Sequence, residues 1–540
     1  MCLKAREPWP MPKETAEIGA KVLKRGSVYK LVGDEIFNQF RETDFLDLYS
    51  PEGKPAISPV ILSFVTIFQF IEKYPDRQAA EAMRMRIDWK YALHLPLDYL
   101  GFDFSVLSEF RDRMIEHEAE QRVFVQMVKL FQAKGLIKER GKQRTDSIAM
   151  LTKVRNLSRL ELVVETLRLA VGAILEAVPE WGEALIPPSW DGCYGERFVM
   201  QRYSESDWKQ YETEVGPDGA WLLARLAGEG APAVVQNLPE VQVLKTVWAQ
   251  QFQECEGQIT YQKLDHYDGH TQIQTPHDPE ARYSKKRYQE WVGGKVQVTE
   301  TDDEGYPHLI TDIVGTSSAR TDYEELNEIQ SRLEERQCLP QEHYVDSGYM
   351  SGPNLHKSHQ RGVDLIGPLA PVVTPQDRIP EGITWEQFDI DVEQGKATCP
   401  AGCSVKPKKQ DKELIRFKFP KNVCLACPMR ARCCTGVGGR TIGVSRYFPE
   451  LKTARSRQKT KAFKEDYHKH RSGVEGSLSA MVRGNGLRVG RYIGQQKRYL
   501  QAVFTGCGVN LSRTANWQAG KRPQERKKCR KRSLFVQTVR

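Results

Sequence analysis

Residues 291–316, WVGGKVQVTETDDEGYPHLITDIVGT, decide the fold class. Val292, Val296 and Val298 alternate with Lys295, Gln297 and Thr299, the two-residue period of a strand. The run DDEG at 302–305 is a turn, and HLITDIVGT at 308–316 answers as the second strand of a hairpin. Downstream, 322–337 reads as a helix, 343–346 as a short strand ending in an acid, and 363–366 as a further strand after another helical piece. Hairpin, helix, strand, helix, strand is the order of a mixed α/β core.

Working outward, the flanks are helical. In 57–74, Val60, Ile61, Phe64, Ile67, Phe68 and Ile71 recur at spacings of three and four. Asp76 is the expected N-cap of a second helix, RQAAEAMRMRID, and Ser105 that of a third over 108–117. Such a bundle suits a helix-turn-helix DNA reader and a purely structural role equally well. Residues 156–245 are helical again (LELVVETLRLAVGAILEAV) and read as an insertion. Residues 370–460 are rich in Pro, Lys and Cys without periodicity. Tyr467, Val474, Leu478, Met481 and Val482 then mark a helix with one buried face, and 492–511 closes the folded part.

The length of 540 residues predicts three to four units, and the longest apolar run, 59–71, is too short for a membrane span. The N-terminus, MCLKAREPWPMPKE, has no apolar signal region, so a cytoplasmic location is expected. Charge is polarised. Residues 451–500 hold 13 Lys and Arg against 3 acids, and 501–540 hold 10 against 1, leaving 1–450 with a net −10. A basic end on an acidic body suits a polyanion such as DNA, and also suits a solvated tail.

Three acids stand in settings that suggest chemistry: Asp146 in QRTDSIAML, Asp346 in HYVDSGYMSG and Glu475 in HRSGVEGSLS. Three carboxylates can hold two Mg²⁺ ions for in-line phosphoryl transfer, because Mg²⁺ prefers hard oxygen ligands. Any one of the chain's 70 acids is by default solvated or a helix cap. Arg471 and Glu475 stand one helical turn apart, so Arg471 can orient the carboxylate, bind a phosphate, or make a plain i,i+4 ion pair. Within 278–295, Lys285, Lys286 and Arg287 interleave with Tyr288 and Trp291, a composition that grips a backbone and stacks on a base; an exposed charged loop is the alternative.

Six of the 12 cysteines fall between 399 and 434. In a reducing compartment CPAGC followed by CLACPMRARCC suggests a structural Zn²⁺ on Cys399, Cys424, Cys427 and Cys433, with Cys403 and Cys434 as spares, rather than free thiols. Zinc there would stabilise an insertion without an apolar core of its own.

The segments RTDSIAMLTKVRNLSRLELVVETL, HDPEARYSKKRYQEWVGGKVQVTET, HYVDSGYMSG and HRSGVEGSLSAMVRGNGLRVGRYIGQQKRYLQAVFTGCGVNLSR resemble, in that order, bacterial insertion-sequence transposases of the DDE class. The stretch SPVILSFVTIFQFIEKYPDRQAAEAMRMRIDWKYALHLP is similar to the helical domain that precedes their catalytic core, so the resemblance covers roughly 45–515. It implies an RNase H-like core with Asp146 on the first strand, Asp346 after the fourth and Glu475 on a later helix. It further implies two Mg²⁺ ions, double-stranded DNA as partner, cleavage and strand transfer, and a homodimer in the DNA complex. The implied organisation is a helical N-terminal DNA-binding domain (1–135), core segments at 136–155 and 265–370 around a helical insertion (156–264), a zinc-ribbon-like insertion (371–455), C-terminal core helices (456–515) and a basic tail (516–540). Arg483, Arg488 and Arg491 join the implied DNA-binding set. The third motif departs from the family pattern, with His468 where a Tyr is usual and Val482 where a Lys is usual, although Tyr467 and Arg483 are adjacent. A DNA-binding protein descended from a transposase, or a metal-dependent nuclease of the same core, fits the same residues.

Overall fold

The computed structural model describes residues 1–5, 9–154, 157–263, 270–286, 289–410, 414–434 and 436–522. Arg287, Tyr288 and the basic run beyond 522 lie outside the described residues.

A mixed sheet of six strands lies at the centre: β1 (Lys142–Leu151), β2 (Arg282–Lys286), β3 (Gln289–Thr301), β4 (Ile310–Ser317), β5 (Glu342–Tyr344) and β6 (Asp364–Ile366). One edge of β3 pairs antiparallel with β1. Its other edge pairs antiparallel with β2 over its first half and with β4 over its second. β5 then adds parallel to β1, and β6 parallel to β5. The hairpin read from 291–316 is therefore present as β3 and β4. The polar side of β3 is not solvated, however: Gln297 and Thr299 are buried there, as is Glu300 on the opposite side, because helices cover both faces of the sheet.

The helices that matter here are α1 (Pro59–Glu72), α2 (Asp76–Met85), α3 (Ser105–Glu116), α4 (Arg122–Ala133), α5 (Arg159–Ala177), α6 (Asp322–Glu335), α7 (Gly352–Gln360), α8 (Lys461–Asn485) and α9 (Gln495–Gln518). α6 lies on one face of the sheet, where Arg332 pairs with Asp312 of β4 at 2.8 Å. α8 and α9 lie on the other, where Ser477 donates to Glu300 at 2.8 Å and Asn510 Nδ2 donates to the Ile310 carbonyl at 2.8 Å.

α1 is apolar all round and buried from Pro59 to Phe70, the pattern of a helix inside a core rather than of a groove reader. Its start is set by Ser58, whose hydroxyl accepts from Ile61 N at 3.4 Å, and by Pro59 at the first helical position. It packs against α9, where a Cβ on Gly508 would stand 2.8 Å from Ile71. One continuous apolar cluster joins α1, α3, α4 and α9 to the sheet. The helices of 1–135 thus share their core with the sheet instead of closing one of their own.

Two expected caps differ. Pro75 precedes the second helix, and Asp76 lies inside its first turn, accepting from Gln69 Nε2 at 2.6 Å and pairing with the buried Arg111 at 2.5 Å. The third helix begins at Ser105 itself, with Phe104 at the N-cap position, and the Asp103 carboxylate accepts from Ser105 N at 2.9 Å.

The insertion after β1 has a second apolar cluster, built on Leu167, Trp190, Val215 and Trp248, and opens with a Ser158–Glu161 capping box at α5. It also contains a small hairpin, Phe252–Cys255 with Gln258–Tyr261, that the helical reading did not foresee. The Cys-rich stretch likewise corrects expectation. It forms two three-stranded sheets around Ile383, Phe388, Phe417, Phe419, Ile442 and Val444, an apolar core of its own. Strands of two to five residues are too short to show a period. Among the described residues no helix is long and apolar enough to cross a membrane.

Candidate active site

Asp146 and Asp346 are brought together by strand register. β1 and β5 pair in parallel with Lys142 opposite Glu342, Gln143 opposite His343 and Arg144 opposite Tyr344. β5 ends there; two residues beyond these last partners stand Asp146 and Asp346, near enough that the Asp346 charge acts on the Asp146 carboxyl. Just past β5 the Asp346 carboxylate accepts from Gly348 N at 2.7 Å, a turn that holds it at the strand's end. Asp146 sits in mid-strand, and its Oδ1 accepts from Ser147 N at 2.8 Å.

Arg471 of α8 closes the pair, with Nη2 2.7 Å from Asp146 Oδ2. It therefore does not make the i,i+4 pair with Glu475 that its spacing allowed. Burial pushes the Asp146 carboxyl up, and the Asp346 charge adds to this, while Arg471 and the Ser147 amide act against it. Although burial opposes its charge, Asp146, Tyr467 and Asp346 hold the Arg471 guanidinium above its ordinary range. Tyr467, one turn before Arg471, donates to the Val345 carbonyl at 3.0 Å; its phenol is pushed up to about 12, chiefly by burial. The aromatic beside the acids is thus Tyr467, and His468 is exposed.

Glu475, one turn beyond Arg471, is exposed. Among the described residues no three acids, histidines or cysteines are gathered closely enough to hold a metal ion. The charge of Asp346 reaches the Asp146 carboxyl, whereas Glu475 makes no ion pair with Arg471 among the described residues. The Asp146–Asp346 pair offers the hard oxygens that a divalent cation takes, and in that respect fits Mg²⁺.

Beneath α8 lies a charged network that sequence reading missed. Arg144, two residues before Asp146, donates to Asp302 at 2.6 Å, to Glu300 at 2.7 Å and to the His470 carbonyl at 2.8 Å. Arg513 of α9 also pairs with Glu300 at 2.7 Å, and His470 with Asp302 at 2.7 Å. Burial alone would raise Glu300, but the Arg513 and Arg144 guanidiniums hold its carboxyl below the usual range. The network ties the strand of Asp146 to the helix of Arg471. Its members lie far apart in the sequence, so only Arg144's closeness to Asp146 hinted at it.

The expected DNA contacts divide. Lys285 and Lys286 are exposed on β2, Lys285 pairing with Glu290 across the hairpin at 2.6 Å. Trp291 is only 9% exposed, so it is a core residue of β3 and not a stacking platform. Arg491 is likewise committed: it donates to the Tyr74 carbonyl at 2.7 Å and lies over Phe70. Arg483 is exposed, as is Arg488, which reaches the Ala149 carbonyl at 3.3 Å. Arg287 lies outside the described residues.

All six cysteines of 399–434 line one cavity of about 210 Å³, with Phe388, Phe419 and Met429 among its walls. Cys399 N donates to the Cys403 carbonyl at 2.8 Å and Cys427 N to the Cys424 carbonyl at 3.4 Å, two tight knuckles facing each other. Burial raises the Cys403 and Cys433 thiols, and neighbouring thiols raise them further. Soft sulfur donors around one cavity suit Zn²⁺ chemically, although no three of them stand at metal-binding separation.

The family described as Transposase DDE domain matches residues 398–515, which include the cysteines, Arg471 and Glu475. The family Transposase domain (DUF772) matches residues 19–113, the N-terminal helices through most of α3. Asp146 and Asp346 lie outside both matches. Neither a curated protein nor a solved structure matches the chain. The two family matches support an insertion-sequence transposase of the DDE class.

Proposed function

We propose that the protein catalyses divalent-metal-dependent cleavage of insertion-sequence ends and their transfer to target DNA. The observation that carries this reading is the closeness of Asp346 to Asp146, whose carboxyl its charge raises, just past the parallel pairing of β1 with β5, in a chain that matches transposase families at both ends. The strand order, three antiparallel strands followed by two parallel ones, supports an RNase H-like core.

In this mechanism Asp146 and Asp346 would hold Mg²⁺, with Glu475 as third ligand once α8 and the DNA adjust. Bound Mg²⁺ supplies Lewis-acid activation of the attacking oxygen and charge stabilisation at the leaving oxygen. The chain's own residues do the rest. Arg144 and its acids fix β1 against α8, Tyr467 pins the end of β5, and Arg471 offers a planar guanidinium to a backbone phosphate. Lys285, Lys286, Arg483 and Arg488 add phosphate contacts on the duplex, while Cys399, Cys424, Cys427 and Cys433 would hold a structural Zn²⁺. Pairing two ends calls for a homodimer in the DNA complex. Activity would lie in the cytoplasm at the nucleoid.

The test incubates wild type, Asp346→Ala and Glu475→Gln with Mg²⁺ and the DNA flanking the protein's own gene. Cut and joined products from wild type alone uphold the reading. Cutting without joining, when a free 3′-hydroxyl end is supplied, makes the protein a nuclease; binding without cutting makes it a retired transposase.

A further inference from the structure

The pair Asp146–Arg471 also bears on how the site is loaded, an inference that rests on the metal-dependent reading above. Both oxygens of Asp146 are engaged: Oδ1 by Ser147 N at 2.8 Å and Oδ2 by Arg471 Nη2 at 2.7 Å. Each of the two side chains is 11% exposed. Mg²⁺ requires carboxylate oxygens at about 2.0–2.1 Å in near-octahedral geometry, and the guanidinium already holds Oδ2 at hydrogen-bonding distance. A divalent cation and an arginine on the same buried carboxylate also repel each other strongly at low local dielectric.

The arginine is itself incompletely satisfied, because its buried Nε has no hydrogen-bond partner among the described residues. Its planar fork is built for two parallel bonds to a phosphate, and Asp146 uses only one arm of it.

We propose that Arg471 is a latch on the carboxylate pair: in the DNA-free protein it neutralises Asp146 and excludes a divalent cation, and a DNA phosphate draws it away and opens the pair. Metal and DNA then promote each other's binding by the same factor, since linkage between two sites is reciprocal. The device would keep a DNA-cutting site unloaded until its substrate is in place. A merely structural ion pair would give no such coupling.

The experiment measures Mn²⁺ bound to the full-length protein by electron paramagnetic resonance, with and without a duplex carrying the DNA that flanks its gene. Asp346→Ala with the same duplex serves as the blank for Mn²⁺ held by DNA alone. Wild type is expected to bind Mn²⁺ roughly 5- to 150-fold tighter with the duplex than without it, the usual span of coupling between linked sites. Arg471→Gln is expected to bind Mn²⁺ tightly without DNA and to gain little from it. Equal Mn²⁺ affinity of wild type with and without duplex overturns the latch while leaving the metal site standing, and this arm decides even where the variant does not fold. A folded Arg471→Gln that binds Mn²⁺ no better than wild type also overturns it. No Mn²⁺ above the blank in either protein removes the metal-dependent reading itself.

Discussion

A Cβ built on Gly473 would stand 2.1 Å from Nη1 of Arg144, so the absence of a side chain at 473 is what lets α8 lie on β1. The guanidinium cannot swing aside, because Asp302, Glu300 and the His470 carbonyl hold it. Gly473→Ala is therefore expected to lift α8 from the sheet and lower stability by about 1–3 kcal/mol, despite a helix-propensity gain of about 1 kcal/mol. Cleavage should fall with it, since Arg471 and Glu475 flank the site by two residues on either side. On the same helix Gly476 faces open space, and Gly476→Ala should stabilise. Urea unfolding of the two variants checks this; equal effects would dissolve the claimed contact.

His343 makes stability pH-dependent. It is fully buried, Nε2 lies 2.6 Å from the Thr145 hydroxyl, and burial lowers its pKa from 6.5 to about 4. Above pH 6.5 the ring is neutral in both states, and its contribution is fully present. As pH falls from 6.5 toward 4 the unfolded chain takes up a proton that the folded ring refuses, so stability declines. By linkage this amounts to about 2 kcal/mol between pH 7 and pH 5. His343→Gln should flatten the decline over that window, measured by urea unfolding at both pH values; an unchanged slope would assign it to other groups.

The cysteine cavity yields a metal-content prediction. Purified protein should contain about one zinc per chain by elemental analysis. Because the surrounding sheets have their own apolar core, chelation should expose 421–434 to protease while the strands Leu414–Lys418 and Thr441–Ser445 stay folded. Protein free of zinc yet equally protected would mean that the thiols serve only as packing.

Exposure separates the β2–β3 residues expected on DNA. Lys286→Ala should weaken duplex binding alike for all sequences and reduce the salt dependence by about one phosphate contact. Trp291→Phe should leave duplex binding unchanged, because that ring is in the core. Salt-titrated binding curves decide, and a loss on Trp291→Phe larger than on Lys286→Ala would reverse the assignment.

Local chemistry was legible from the chain alone. The β3–β4 hairpin follows from alternation and a turn within 26 residues (291–316), and α1 from a three-four apolar stripe, although its start at Pro59 falls two residues inside the 57–74 read. These depend on neighbours in sequence, and backbone geometry converts such patterns directly into structure. The acids were legible as residues but not as a site.

Tertiary structure alone decided the rest, wherever the partner lies far away in the chain. The parallel register that pairs Arg144 with Tyr344, just before Asp146 and Asp346, joins residues 200 apart. Arg471 prefers Asp146 to Glu475 because a buried carboxylate in poor solvent attracts a cation more strongly than an exposed one a turn away. Trp291, Gln297, Thr299 and Glu300 are all buried, which no local pattern announced, because the sheet is covered rather than solvated. Periodicity reports which residues share a face; only packing reports what that face meets.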